Sequence, residues 1–436
     1  MSAVKLSRFD VCALGFMTFA LFVGAGNIIF PPNIGLHAGA SLWAAAAGFL
    51  VTAVGLPVVT LVALARVGGA LDELSRPLGR VGSVALAVVC YLAVGPLFAT
   101  PRTATVSFEV GIAPLTGGTP LALGIYSVVY FAGVLALSLY PGRLLDWVGK
   151  VLAPMKMVAI GALCLSAVVA SRNGVGPIAA AYRDAPFRQG FNEGYLTMDA
   201  LGALVFGIVV VNAVRSRGVT RGVDLTRYTC IAALIAGTGL AAIYLGLFRL
   251  GSISHAFAGE ASNGAAILHA YVDRAFGPLG DLMLAGLIVL ACVVTAVGLT
   301  CACAEFFSEL LGLPYRPLAV GLAVFSLVVS NLGLDALVAF SVPVLTTIYP
   351  PCIALVLVSF GNRIWRSPRW VAVSSVLIAL AVGGVDGLRA AHLIDARPAW
   401  MDGLPFAASG LAWLPPVVLI VLLGFADAAW RRRPAN

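Results

Sequence analysis

The chain predicts an all-α polytopic membrane protein, and three observations carry that prediction. Hydrophobic residues make up 61% of the 436 and charged residues only 11%, against about 25% charged in an ordinary soluble domain. Apolar runs of about 20 residues, the length that crosses hydrocarbon, recur about twelve times. The first of these runs is interrupted, near the expected bilayer midplane, by Gly24, Gly26 and Asn27. In lipid every backbone N–H and C=O must be satisfied internally, so an opened helix at that depth has to line a polar cavity or be buried in protein.

In order, the segments lie near 10–31, 41–65, 82–112, 121–140, 148–170, 196–214, 227–248, 280–304, 317–331, 335–360, 370–386 and 409–429. The longest loops fall near 171–195, 249–279 and 387–408, so the whole of 1–436 reads as one transmembrane domain. The formal net charge of +8 is dispersed between spans, which points to membrane orientation and not to a nucleic-acid partner. With the N-terminus inside, about 18 Lys and Arg become cytoplasmic and about 8 external, a bias that puts both termini in the cytoplasm. Arg143, Lys150, Arg363 and Arg431 to Arg433 are on the cytoplasmic side of that division and Arg172 is on the outer side. The basic N-terminus and its apolar run form an uncleaved first helix, because the run exceeds a signal-peptide core and eleven spans follow.

Taken span by span, the interruptions mark candidate sites. Opening the first span at Gly24–Asn27 leaves amides of the following half-helix pointing inward, where the positive dipole end attracts a carboxylate. The preceding half-helix offers carbonyls to an ammonium or a hard cation. The bland alternative is close helix packing through small residues; Asn27 and the Pro31-Pro32 pair favour a solute site. The third span carries Pro96, Pro101 and Arg102, so it is kinked. Arg102 faces either the bundle interior, with Glu109 as partner, or the interface. In the fifth span Lys156 is either a titrating ammonium in the core or a side chain snorkelling to the surface.

The sixth span repeats the motif of the first with Phe206, Gly207, Ile208 and, downstream, Asn212. Glycine-interrupted segments at matching places in two halves point to a transport site. Spans one to five then repeat as six to ten, and an odd number per repeat inverts the second half: repeat one over about 10–170, repeat two over about 196–360, with two further helices over about 370–429. Thr295, in the eighth span, offers a hydroxyl to a cation or back to its own helix. Span ten, with Pro343 and Pro350-Pro351, is kinked.

All eight cysteines lie in or beside spans without a CxxC pair, which predicts neither disulfides nor a zinc site. No HExxH, GxSxG or P-loop is present, so no enzyme and no cofactor is expected.

The run Ala13 to Pro32 resembles the N-terminal signature of the BrnQ-type branched-chain amino acid carriers, and Cys90 to Glu109 resembles a second. Val205-Phe206-Gly207 with Asn212-Ala213, and Thr295 to Leu299 with Ala304 to Phe307, extend the likeness over essentially the whole chain. The resemblance implies a bacterial inner-membrane symporter that imports leucine, isoleucine and valine, built on the leucine-transporter fold of five-plus-five inverted repeats. It implies that the amides of Gly24, Ala25, Gly26 and Asn27 hold the substrate carboxylate while Phe22 offers a carbonyl to the amino group. Carbonyls of Ala20 and Val23, with Cys292, Thr295 and Ala296, would hold the coupling Na⁺. The substrate is expected at mid-membrane between spans one and six, with Phe206, Gly207 and Ile208 among the residues that bind it and its side chain in an apolar pocket that includes Phe206 and residues of spans three and eight. Lys156 stands for the H⁺-coupled alternative, and a non-transporting amino-acid sensor is the other rival. Surrounding lipid is the only further partner expected, with no obligate protein partner.

Overall fold

The computed structural model describes residues 5–139, 153–169, 176–219, 221–362 and 364–430. The predicted positions Arg143, Lys150, Arg172, Arg363 and Arg431 to Arg433 lie outside them. Among the described residues the fold is helical and holds no strand. Eight helical runs are apolar and long enough to cross a membrane, and three shorter apolar helices cover Met157–Val169, Tyr315–Ser330 and Leu414–Ala428. Each of the twelve predicted segments overlaps one of these helices or the first helix of the chain.

That first helix, α1 (Arg8–Phe22), starts at a capping box: the Ser7 hydroxyl accepts from the Asp10 amide and the Asp10 carboxylate accepts from the Ser7 amide. It stops at Val23, whose backbone is extended, and Gly24 is extended as well. α2 (Ala25–Ala38) then runs on through Pro31 and Pro32, past the predicted end of the span. The prolines therefore sit inside the second half-helix, and the interruption lies at Val23–Gly24. α3 (Leu42–Leu50) and α4 (Leu56–Val67) form one continuous run through a wider turn at Val51–Gly55.

The third span divides into α5 (Gly79–Leu92) and α6 (Ala99–Gly111), because Gly95 leaves the helical region just before Pro96. α7 (Pro120–Ser138) and α8 (Ala153–Val169) complete the first half. The stretch expected as a long loop over 171–195 contains α9 (Pro186–Tyr195), followed by a break at 196–198 and α10 (Asp199–Arg215). α9 is amphipathic and carries Arg188, Gln189, Asn192 and Glu193, so composition marks it as loop. It nonetheless packs tightly on α3, where any side chain at Gly190 would overlap the Ala45 carbonyl. The Thr52 hydroxyl also donates to the Phe191 carbonyl at 2.9 Å.

α11 (Gly222–Ile253) crosses α2 so closely that Cβ atoms at Gly35 and Gly251 would overlap the Phe248 and Pro32 carbonyls. α12 (Gly264–Leu311) is a long run bent at Gly277, which adopts φ 66° ahead of Pro278. α13 (Tyr315–Ser330), α14 (Leu334–Ser359), α15 (Pro368–Ala390) and α16 (Leu414–Trp430) complete the bundle. The main apolar core gathers residues of α2, α3, α11 and α12, among them Phe49, Tyr244, Phe248 and Ile288. Exposed large apolar residues such as Val129, Leu279, Leu422 and Phe340 stud the outer faces, as lipid contact requires.

Candidate functional site

Two interrupted helices meet at one small cavity of about 50 Å³. Its wall is built from the α1–α2 break, the α9–α10 break, α6 and α12. Gly24 caps α2 from the N-terminal side: its amide donates to Asn27 Oδ1 at 2.9 Å, which satisfies one of the donors a helix start leaves unpaired. The Asn27 side chain, 1% exposed, then turns its amide nitrogen to the other break. Nδ2 donates to Asp199 Oδ2 at 2.6 Å and also meets the Tyr244 hydroxyl of α11, which donates to the same carboxylate oxygen at 2.9 Å. One asparagine thus joins the starts of α2 and α10.

The α9–α10 break has its own local causes. The Thr197 hydroxyl donates to the Gly194 carbonyl at 2.9 Å and turns the chain away from helix. Met198 adopts φ 62°, a left-handed conformation that a non-glycine residue holds only when its surroundings over-determine it. Asp199 then opens α10, where a carboxylate complements the positive end of the dipole.

Arg102 is 2% exposed and faces the interior. Its guanidinium donates to the Leu196 carbonyl in the α9–α10 break at 2.5 Å and to Ser341 Oγ on α14 at 3.0 Å. It also lies over the Phe30 ring of α2, 5.4 Å from the centroid. The partner expected for it, Glu109, sits half-buried two turns further along α6, and no ion pair joins the two among the described residues. A backbone carbonyl freed by the break replaces the carboxylate, and nothing in a sequence pattern marks such a carbonyl.

Of the residues singled out from sequence, Phe22, Gly24, Ala25, Gly26, Asn27, Arg102, Phe206 and Thr295 line the cavity. Val23, Cys292 and Ala296 are buried in the apolar core, and Ala20 is half-buried on α1. Thr295 donates to its own Ala291 carbonyl at 3.1 Å and lies near Gly24, where its methyl would be 3.6 Å from an added Cβ. Gly207 and Ile208 do not line the cavity: a Cβ at Gly207 would run into Leu64 of α4, so that glycine serves helix packing. The second break therefore lies at Leu196–Met198 and not at Gly207. Lys156 falls in the first turn of α8, and its side chain lies outside the described residues.

Sequence reasoning missed Thr197, Asp199 and Tyr244. Asp199 carried a readable signal, an acid immediately before the apolar run 200–214, since an ionisable residue at membrane depth is costly. Thr197 and Tyr244 carried none.

A second cavity of about 410 Å³ lies beyond the first, lined by Gln189, Asn192, Tyr195, Leu196, Asp386 and Arg397 among others. Leu196 borders it and accepts the Arg102 hydrogen bond, so this contact stands between vestibule and inner cavity.

The profile of the family described as "Branched-chain amino acid transport protein" matches residues 7–430. The chain belongs to that family. It is 60% identical over 419 residues to the branched-chain amino acid permease BrnQ of Escherichia coli K12, covering 96% of this chain and 95% of that one. It is 59% identical over 409 residues to the branched-chain amino acid transport system 3 carrier protein of Pseudomonas aeruginosa, covering 94% of each. Bacillus subtilis BraB, also a branched-chain amino acid permease, is 39% identical over 95% of each chain. Among solved structures, MhsT in complex with L-phenylalanine superposes with TM-score 0.52 at 16% identity, over 98% of this chain and 100% of that one. Mhp1, a nucleobase-cation-symport-1 family transporter, superposes with TM-score 0.58 at 16% identity, over 96% and 92%. The branched-chain amino acid transport protein family thus adopts here the fold of the leucine-transporter group, and this member is a multi-pass amino acid transporter and not an enzyme.

Proposed function

We propose that the protein is a secondary active symporter that imports leucine, isoleucine and valine with Na⁺ by alternating access. It would work in a bacterial inner membrane with both termini in the cytoplasm. The observation that carries this reading is the meeting of two helix breaks at one cavity through Asn27. The first-turn amides of α2, from Ala25 to Asn27, hold the substrate carboxylate, because a helix start combines unpaired N–H groups with the positive dipole end. The apolar side chain lies toward Phe206 and Leu299, which line the same cavity.

Na⁺ takes the carbonyl end of α1 at Ala20 and Val23, with Cys292, Thr295 and Ala296 across from it. The Thr295 hydroxyl bonds backward to Ala291, and its oxygen keeps lone pairs for a cation. The two breaks also support inverted repeats, with α9 the counterpart of α1, which moves the opening of the second repeat from about 196 to Pro186. A cavity of about 50 Å³ admits water-sized groups, so the substrate enters when the helices around it part, and the Arg102–Leu196 contact is the natural place to open.

Uptake of labelled leucine into cells overproducing the carrier tests the substrate assignment. Excess isoleucine and valine are expected to abolish it and excess glutamate or lysine to leave it unchanged; uptake indifferent to isoleucine and valine contradicts it.

A further inference from the structure

We propose that the Asp199 carboxylate is the receptor for the α-ammonium group of the substrate. The inference rests on the reading that the α2 amides hold the substrate carboxylate. Asp199 is 5% exposed and lines the inner cavity. An ionised carboxylate offers about four acceptor positions on two oxygens. Oδ2 takes Asn27 Nδ2 and the Tyr244 hydroxyl, and the Thr197 side chain also hydrogen-bonds to the carboxylate, which still leaves an acceptor position open. No lysine, arginine or histidine pairs with the carboxylate among the described residues; Arg102, which lines the same cavity, turns its two terminal nitrogens to Leu196 and Ser341.

A buried carboxylate with spare acceptors and no counter-charge is expensive until a cation arrives. The two ends of an α-amino acid are attached to one carbon, so their receptors must be neighbours. Asn27 makes them neighbours: its backbone belongs to the first turn of α2 and its side chain touches Asp199. An ammonium has three donors, so Asp199 and the Phe22 carbonyl can share it. The arrangement selects free α-amino acids and rejects analogues without the ammonium, which would place one carboxylate beside another.

Competition against labelled leucine in proteoliposomes holding the full chain tests this. In the unaltered carrier the 2-oxo acid of leucine is expected to compete at least ~100-fold more weakly than leucine, as for sites built around a substrate N–H donor. Competition within tenfold of leucine overturns the proposal, whatever any variant does. Asp199→Asn is expected to lose leucine affinity by ~100-fold or more and to narrow the leucine-to-oxo-acid ratio to within about tenfold. A variant that keeps the full ratio but no longer responds to an imposed ion gradient assigns the carboxylate to the coupling ion and overturns the proposal. Tyr244→Phe keeps the carboxylate and should keep the ratio; a collapsed ratio there contradicts a direct contact. Leucinol separates the two ends: equal competition by leucinol and leucine removes the α2-amide reading and leaves the Asp199 result standing on its own.

Discussion

Asn27 bonds in three directions, to the Gly24 amide, to the Asp199 carboxylate and to the Tyr244 hydroxyl. Asn27→Ala removes the cap of α2 and a hydrogen bond to a charged group, together about 2–4 kcal/mol. Purified Asn27→Ala protein should therefore melt several degrees lower and bind leucine at least tenfold more weakly by tryptophan fluorescence or calorimetry; unchanged binding would show that the two breaks need no link. Gly26 tests the space beside it. A Cβ there lies 3.4 Å from Thr197 Cα and 3.5 Å from the Leu196 carbonyl oxygen, so a small side chain fits tightly and a large one fills the gap between the breaks. Gly26→Leu should reach the membrane in normal amount and show no leucine uptake; normal uptake kinetics in that variant would sink the site. At this scale the first break was legible, because glycine and asparagine in an apolar run are conspicuous. The second was not, because Leu196-Thr197-Met198 looks like ordinary helix, and its turn depends on a hydroxyl–carbonyl bond and a left-handed methionine.

The elements that form the site are held by close backbone contact and by one arginine. α2 approaches α11 through Gly35 and Gly251, so Gly251→Ala forces a methyl into the Pro32 carbonyl. Overpacking of this kind typically costs about 1–3 kcal/mol, and detergent-solubilised Gly251→Ala should lose several degrees of melting temperature; an unchanged melting curve would mean the helices slide apart freely. Arg102 ties α6 to the α9–α10 break and to α14. Lysine in its place keeps the charge but loses the fork that reaches two acceptors. Arg102→Lys should lower leucine uptake more than Ser341→Ala, which removes one of the guanidinium's two acceptors, a hydrogen bond to a charged group worth about 1.5–3 kcal/mol; the reverse order in transport assays would dismiss the arginine as a latch. Composition concealed α9 for a plain reason: its polar face borders the vestibule, so a hydropathy reading places it outside the membrane domain, whereas its glycines dock it on α3.

Across the whole molecule, hydrophobic content and segment spacing were sufficient to read an all-helical membrane bundle, because lipid leaves the backbone so few choices. The sequence pattern also divided the chain into two halves, but it used Gly207 as the mark of the second, a residue that packs on Leu64. The family sets the chain among amino acid transporters; the driving ion is the part of the account with most at stake. The direct test is accumulation of labelled leucine in proteoliposomes under an imposed Na⁺ gradient, an imposed pH gradient, or neither. The account predicts concentrative uptake with inward Na⁺, little with the pH gradient alone, and only equilibration with neither. Concentrative uptake driven by the pH gradient in the absence of Na⁺ would contradict Na⁺ coupling, and accumulation with no gradient would contradict coupled symport altogether.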